Sequence, residues 1–280
     1  MNLRRRLPVS LMFNEFFQYE FVRIALVAIL LMTPMYGMMG PLVVEKKMAY
    51  FSDALGHSAL TGIAVGVLCQ AANSNLAMVI YAVVFALLLN QIRYRGKAST
   101  DTIISVCASV SLAAGLAILS RGGNFSSYSS LLVGDVLSMS KSDLVMLSVL
   151  LLVTVVFYVI CVNAALAITI HPTLARVRGY SVRLLENVFA VLVAVMVTFS
   201  IRWIGILLIN ALLILPAAAS RNIASNMRQH LWLSVIFSML SGLLGLFLSY
   251  FVNVATGPVI VIFAGIIYFA TLVFSLLVRE

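Results

Sequence analysis

Long apolar stretches separated by short polar gaps dominate the sequence and limit the folds that it can adopt. A helix needs about 20 mostly apolar residues to cross a bilayer, and nine stretches reach or approach this length. The sequence therefore predicts an all-α polytopic membrane protein with about nine transmembrane helices, eight being possible. The predicted spans lie near residues 21–43, 54–71, 76–92, 102–120, 144–166, 184–200, 203–219, 231–251 and 259–278.

The composition excludes several other classes of protein. Of the 280 residues, 63% are hydrophobic and 10% are charged, whereas soluble domains have about 45–50% apolar and about 25% charged residues. A soluble fold needs more polar surface than this chain can supply. Soluble enzymes, disordered proteins and nucleic-acid-binding domains are therefore excluded.

The chain divides into a short amphipathic segment and one membrane domain. Residues 9–20 mix aromatic with charged and amide side chains, which is typical of a helix lying in the headgroup region. We therefore expect an N-terminal interfacial segment over residues 1–20. A transmembrane domain follows over residues 21–280.

Basic residues in the gaps between spans predict the orientation. With nine spans, the gaps after the first, third, fifth and seventh spans and the C-terminus fall on one face. They hold eleven of the eighteen basic residues, so the positive-inside rule makes this face cytoplasmic. The N-terminal triad Arg4, Arg5 and Arg6 opposes this orientation, but four successive loops outweigh it.

The chain has no motif for ATP hydrolysis. A phosphate-binding loop of the form GxxxxGK[ST] is absent from the sequence, and nucleotide hydrolysis usually depends on one. The chain is therefore not expected to be an enzyme. Active transport would need an ion gradient or a separate ATPase subunit.

Asp53 and His57 are the clearest candidates for chemistry, because ionisable groups inside a membrane are costly and mark functional sites. Their i, i+4 spacing puts them on one helix face, with about 5–6 Å between their Cβ atoms. A carboxylate and an imidazole at this separation can bind one divalent cation. The alternative is that they only hydrogen-bond each other or lie at the membrane surface.

Five other polar residues suggest weaker sites. Asp101 is expected to cap a helix, and Asp135 to belong to a turn or cap. Glu186 is expected to pair with nearby Arg183 at the interface. Asn210 could line a pathway, although an interhelical hydrogen bond is the stronger expectation, and His230 is expected to be solvated.

The gap at residues 171–180 predicts a short helix parallel to the membrane. Pro172 favours a helix start and Gly179 a helix end, and two arginines lie between them. Such a helix could be a docking surface for a cytoplasmic partner, or its charge could only set the topology.

Several motifs together resemble the permeases of metal-uptake ABC transporters, the zinc/manganese/iron permease family. The similarity extends over about residues 21–270. At residues 249–258, Asn253 replaces the family's usual acidic residue and Ala-Thr its usual Pro-x. The motifs are residues 47–66 (KMAYFSDALGHSALTGIAVG), 130–137 (SLLVGDVL), 173–179 (TLARVRG), 205–219 (GILLINALLILPAAA) and 249–258 (SYFVNVATGP).

The resemblance implies a type II ABC importer-like permease in the bacterial cell (inner) membrane. Its implied partners are a second copy of the chain, two cytoplasmic ATPase subunits and an extracytoplasmic metal-binding protein. Asp53 and His57 match the residues that line the metal path, and no permanently bound cofactor is implied. The implied ATPase-coupling residues are Pro172, Thr173, Leu174, Ala175, Arg176 and Gly179.

The predicted function is therefore import of a divalent transition metal by alternating access, with zinc favoured and manganese next. A siderophore or cobalamin ABC permease is one alternative, but it would need no ionisable pair in its path. An ion-gradient-driven secondary metal carrier is another, and it predicts inverted repeats that the sequence does not show. A membrane scaffold without transport would leave Asp53 and His57 unexplained.

Overall fold

The described part of the chain is entirely helical. The computed structural model describes residues 19–70, 73–96, 98–122, 139–252 and 254–278. Within these ranges there is no strand, and the ten helices are named α1 to α10 in chain order. They are Glu20–Glu45, Phe51–Leu68, Ser74–Arg95, Thr100–Gly122, Lys141–Ile170, Pro172–Val177, Val182–Ile204, Ile206–Ile223, Met227–Val252 and Thr256–Val278. The predicted interfacial segment lies almost wholly outside the described residues.

The predicted spans correspond one by one to nine of these helices, because long apolar segments can satisfy their backbone groups inside a bilayer only by forming helices. Eight of the helices in the described residues are long and apolar enough to cross a membrane. The one remaining predicted span, residues 203–219, corresponds to the shorter α8. The all-α membrane architecture is confirmed.

The central helices of the bundle are α1, α2, α7 and α8. In the most apolar part of α2, 72% of the residues are buried, whereas the figure for α10 is 17%. Small residues allow α2 to be enclosed closely: a Cβ at Gly56 would come within 2.6 Å of Cγ2 of Ile206, at the start of α8. The N-terminal half of α2 therefore packs directly against α8.

Ion pairs join the basic gaps on one face of the bundle. Glu186 pairs with Arg93 at 3.3 Å and with Lys46 at 3.8 Å, and Arg221 pairs with Glu45 at 3.6 Å. These contacts connect the ends of α1, α3 and α8 with the start of α7. We call this side, residues 45–47, 93–95, 176–186 and 221–228, the basic face, and its assembly from these gaps is confirmed.

The opposite face is marked by the starts of α1 and α5, where Lys141 and Glu20 pair at 2.6 Å. Helices α7 and α8 meet at Gly205, whose φ of 78° lies in the left-handed region. Only glycine adopts this conformation without strain. The chain reverses at this point, so α8 returns towards the basic face.

Candidate functional site

Asp53 and His57 lie in the first two turns of α2. Their side chains meet, with 3.5 Å between His57 Nε2 and Asp53 Oδ2. The prediction that both residues lie on one helix face is therefore confirmed. What they bind remains a prediction.

Asn210 of α8 completes this polar cluster. Its Nδ2 donates a hydrogen bond to Asp53 Oδ1 at 2.7 Å. The two residues are 157 positions apart, and neither the α2 motif nor local spacing pairs them. The expectation of an interhelical hydrogen bond is confirmed, but Asn210 was not assigned to the site. The signal that could have found it is a single amide within an otherwise apolar helix.

The cluster retains binding capacity that the protein does not use. Nδ1 of His57 and Oδ1 of Asn210 are buried and have no hydrogen-bond partner. Buried polar atoms are normally satisfied, so unpartnered atoms beside a carboxylate suggest a place for a ligand. The carboxylate, imidazole and amide oxygen together form a mixed oxygen and nitrogen donor set, of the kind that borderline divalent transition metals accept.

The site faces out of the single chain. The side chains of Asp53 and His57 are 44% and 32% exposed, although α2 is the most enclosed of the spanning helices. No group of three or more His, Cys, Asp or Glu in the described residues could hold a metal ion. One chain therefore supplies an open, incomplete coordination sphere.

The depth of the site differs along its two helices. Asn210 precedes Arg221 of the basic face by eleven residues on α8, which is about 16 Å at 1.5 Å per residue. Asp53 is only the third residue of α2, five residues after Met48, whose sulfur lies against Arg93 of the basic face. The position of the carboxylate–imidazole pair within the membrane stays a prediction.

The predicted short helix is present as α6, Pro172–Val177, and Gly179 follows it with a φ of 84°. Ala175 is buried between Ile168 at the end of α5 and Val182 at the start of α7. The other predicted coupling residues, Pro172, Thr173, Leu174, Arg176 and Gly179, are exposed. A partner could therefore contact these five residues, and the equally exposed Val177 and Arg178, but not Ala175.

A charge cluster lies beside α6. The expectation that Glu186 pairs with Arg183 is wrong: Glu186 pairs with Lys46 and Arg93, while Arg183 lies over the ring of Tyr94 at 4.4 Å. Burial lowers the pKa of the Lys46 ammonium; the carboxylate of Glu186 opposes this shift, and Arg93 adds to it. Glu186 and Arg183 therefore contact residues of other helices, and these partners cannot be identified from the neighbouring sequence.

The structure also bears on the weaker candidates Asp101 and His230, while Asp135 cannot be compared with it. Ser99 caps α4 by accepting a hydrogen bond from the backbone N–H of Thr102 at 3.2 Å, and Asp101 lies in the first turn. His230 is buried, with its Nδ1 2.7 Å from Ser220 Oγ, because the first turn of α9 faces α8. Asp135 lies outside the described residues.

The chain matches a known transport family over almost its whole length. The family model of the ABC 3 transport family matches residues 18–275. The chain is 31% identical to the high-affinity zinc uptake system membrane protein ZnuB of Haemophilus influenzae, over 86% of this chain and 91% of that protein. It is 25% identical to the manganese transport system membrane protein MntC of Listeria innocua, over 92% of each.

A solved structure shows the same fold. PsaBC from Streptococcus pneumoniae in complex with Fab superposes with a TM-score of 0.80, at 22% sequence identity, over 94% of this chain and 95% of that one. The fold, the family match and the similarity to ZnuB agree. The chain therefore belongs to the ABC 3 transport family.

Proposed function

We propose that this chain is the membrane permease subunit of an ABC importer that moves a divalent transition metal into the cytoplasm. The observation that carries the proposal is the cluster of Asp53, His57 and Asn210, with two unpartnered buried atoms, on helices of a membrane bundle. Polar groups inside a membrane are costly. A cation that passes along α2 explains why they lie there.

An open site suits transport better than a closed one. A structural metal site surrounds its ion completely, but a transport site must bind strongly enough to admit the ion and weakly enough to release it. Two or three donors from each chain leave the remaining positions for water or for a second copy. Alternating access then requires only that the gap between two copies opens to one side at a time.

Zinc is the favoured cargo, with manganese next. Imidazole suits zinc better than manganese, which prefers oxygen ligands. The chain is also more similar in sequence to the zinc-uptake protein ZnuB, at 31% identity, than to the manganese-transport protein MntC, at 25%. The amide oxygen of Asn210 is a harder ligand, and it keeps manganese as the second candidate.

The energy for transport would come from a separate subunit. The exposed Leu174 and Val177 of α6 form an apolar surface beside the basic residues of the same face. We propose that α6 docks in a groove on a cytoplasmic ATPase, one for each of two permease copies. A metal-binding protein would deliver the ion at the opposite face, and the complex would reside in the bacterial inner membrane.

The test is metal uptake into proteoliposomes that hold the chain with the ATPase and binding protein encoded beside it. Asp53→Ala and His57→Ala are each expected to abolish ATP-dependent zinc uptake while the complex still copurifies. Asp101→Asn is the matched control, because Asp101 is an exposed carboxylate in the first turn of a different helix, α4.

Normal uptake in both site variants would remove these residues from the metal path. Uptake driven by an ion gradient without the ATPase would instead indicate a secondary carrier.

A further inference from the structure

A slot between α1, α5 and α9 opens on the membrane-facing side of the bundle, apart from the Asp53 site. Its volume is about 590 Å³, within the range of small-molecule sites. Most of its lining is apolar, including Pro34, Leu166 and Val235. Trp232, which is 66% exposed, stands at its opening. We call this space the α1–α5–α9 slot.

Four polar side chains line the slot without a partner among the described residues. They are Tyr158, Asn163, Arg228 and Trp232, and none has a hydrogen bond or ion pair with another described residue. Each of them offers hydrogen-bond donors: a hydroxyl, an amide NH₂, a guanidinium and an indole N–H. An unpaired polar group in hydrocarbon costs several kcal/mol. Where these side chains face hydrocarbon, the slot therefore suits an occupant that is rich in acceptors.

The slot begins at the basic face and extends to about the middle of the bundle. Arg228 is the second residue of α9, and Trp232 lies on the same face one turn further. Pro34 precedes the end of α1 by eleven residues, about 16 Å of helix. This height is about half of a 30 Å hydrocarbon core, the depth of one lipid leaflet.

The longer parts of the chain that are not described cannot be assumed to fill this space. Residues 1–18 and 123–138 join the described helices at the starts of α1 and α5 and the end of α4, on the opposite face. The lining of the slot includes the start of α9 and comes within four residues of the end of α5, at Leu166. Its occupant is therefore expected to come from the membrane.

We infer that the α1–α5–α9 slot binds an anionic phospholipid of the leaflet at the basic face. The phosphate pairs with Arg228 and the ester oxygens accept hydrogen bonds from Asn163 and Trp232. One acyl chain lies along the apolar lining towards Pro34. The negative phosphate complements the cationic end of the slot, and the phosphate and ester oxygens can accept a hydrogen bond from each of these four donors.

The test exploits the position of Trp232. The full chain with Trp203→Phe keeps Trp232 as its one tryptophan, since the sequence has two. It is reconstituted in phosphatidylcholine vesicles that contain the same small fraction of either brominated phosphatidylglycerol or brominated phosphatidylcholine. Because bromine quenches indole emission on contact, quenching reports which lipid occupies the slot. We expect phosphatidylglycerol to be enriched at Trp232 about five-fold, the effect of one basic side chain near a membrane surface.

Two slot variants and one control make the result specific. Arg228→Gln is expected to abolish the preference for phosphatidylglycerol over phosphatidylcholine. Asn163→Leu is expected to reduce this preference, and to lower the quenching by each lipid less than two-fold. Arg95→Gln, which removes another exposed arginine of the basic face, is expected to retain the preference. Native mass spectrometry of the purified chain gives a second readout: one bound phosphatidylglycerol, lost in Arg228→Gln.

Three outcomes would overturn the inference. Equal quenching by both lipids would mean that Trp232 only contacts bulk lipid. An unchanged preference in Arg228→Gln would mean that the phosphate binds elsewhere. If neither lipid quenches and the chain self-associates, a second copy covers the slot.

Discussion

Asn210 connects the two helices of the candidate site, because its amide donates to the carboxylate of Asp53. Asn210 binds Oδ1 of Asp53, which leaves Oδ2 of the same carboxylate to face His57. If Asp53 is a metal ligand as proposed, losing a group that orients it would weaken metal binding about 10- to 100-fold. Asn210 therefore belongs to the site whether its own oxygen binds the ion or only orients Asp53.

Replacing Asn210 tests this role. Asn210→Ala is expected to weaken zinc binding about 10- to 100-fold, the usual effect of losing a group that supports a ligand. Metal titration of the purified chain measures the change. Asn222→Ala is the control, since Asn222 lies on the same helix but bonds to Thr271 at 3.2 Å. An unchanged affinity in Asn210→Ala would show that the amide has no part in binding.

At the scale of elements, the approach of α2 to α8 determines whether the site exists. Gly56 leaves no space for a side chain beside Ile206, and Ile206 is β-branched, so its Cγ2 cannot rotate away freely. A larger residue at either position must separate the two helices. Asp53 and Asn210 lie on these same two helices, so their hydrogen bond would lengthen.

Gly56→Ala is therefore expected to lower both thermal stability and zinc uptake. Overpacking of this kind costs about 1–3 kcal/mol, and the double variant Gly56→Ala with Ile206→Ala is expected to recover part of both. Gly265→Ala is the control, because a Cβ there meets nothing within 4 Å. Thermal unfolding and proteoliposome uptake measure the two effects. A single variant as stable and active as the parent chain would contradict the packing argument.

The turn after α6 gives a second prediction at this scale. Gly179 has a φ of 84°, and a Cβ at this position would meet nothing within 4 Å, so substitution acts through backbone strain alone. Gly179→Val is expected to cost roughly 1–2 kcal/mol and to weaken copurification of the ATPase. Gly179→Asn is expected to retain it, since asparagine tolerates positive φ. Equal copurification in both variants would indicate that α6 is not the docking element.

The elements themselves were predictable from sequence, whereas their contacts were not. Predicted spans such as 144–166 and 184–200 fall inside α5 and α7, because the need for about 20 apolar residues is a local property. The partners of Glu186 and the burial of His230 depend on how distant helices pack, which one sequence does not contain. The Asp53–His57 pair was found because its members are four positions apart in the sequence, and Asn210 was missed because it is 157 positions from Asp53.

At the scale of the whole molecule, the outward-facing donors predict the stoichiometry of binding. One chain offers Asp53, His57 and Asn210, fewer than the four ligands of a closed zinc site. If two copies share one ion, the assembled permease is expected to bind one zinc per two chains. Metal analysis of the saturated complex, combined with its mass, measures this ratio. One zinc per chain would contradict a shared site.

The exposed side chains of Asp53 and His57 also affect how the protein is made. A newly inserted chain carries a carboxylate and an imidazole on a surface that would otherwise contact acyl chains, and hydrocarbon disfavours both groups. If two copies pair over these side chains, as proposed above, pairing would remove this penalty and favour the paired form. The same two residues would thus favour association of two copies during biogenesis and bind the transported metal ion afterwards.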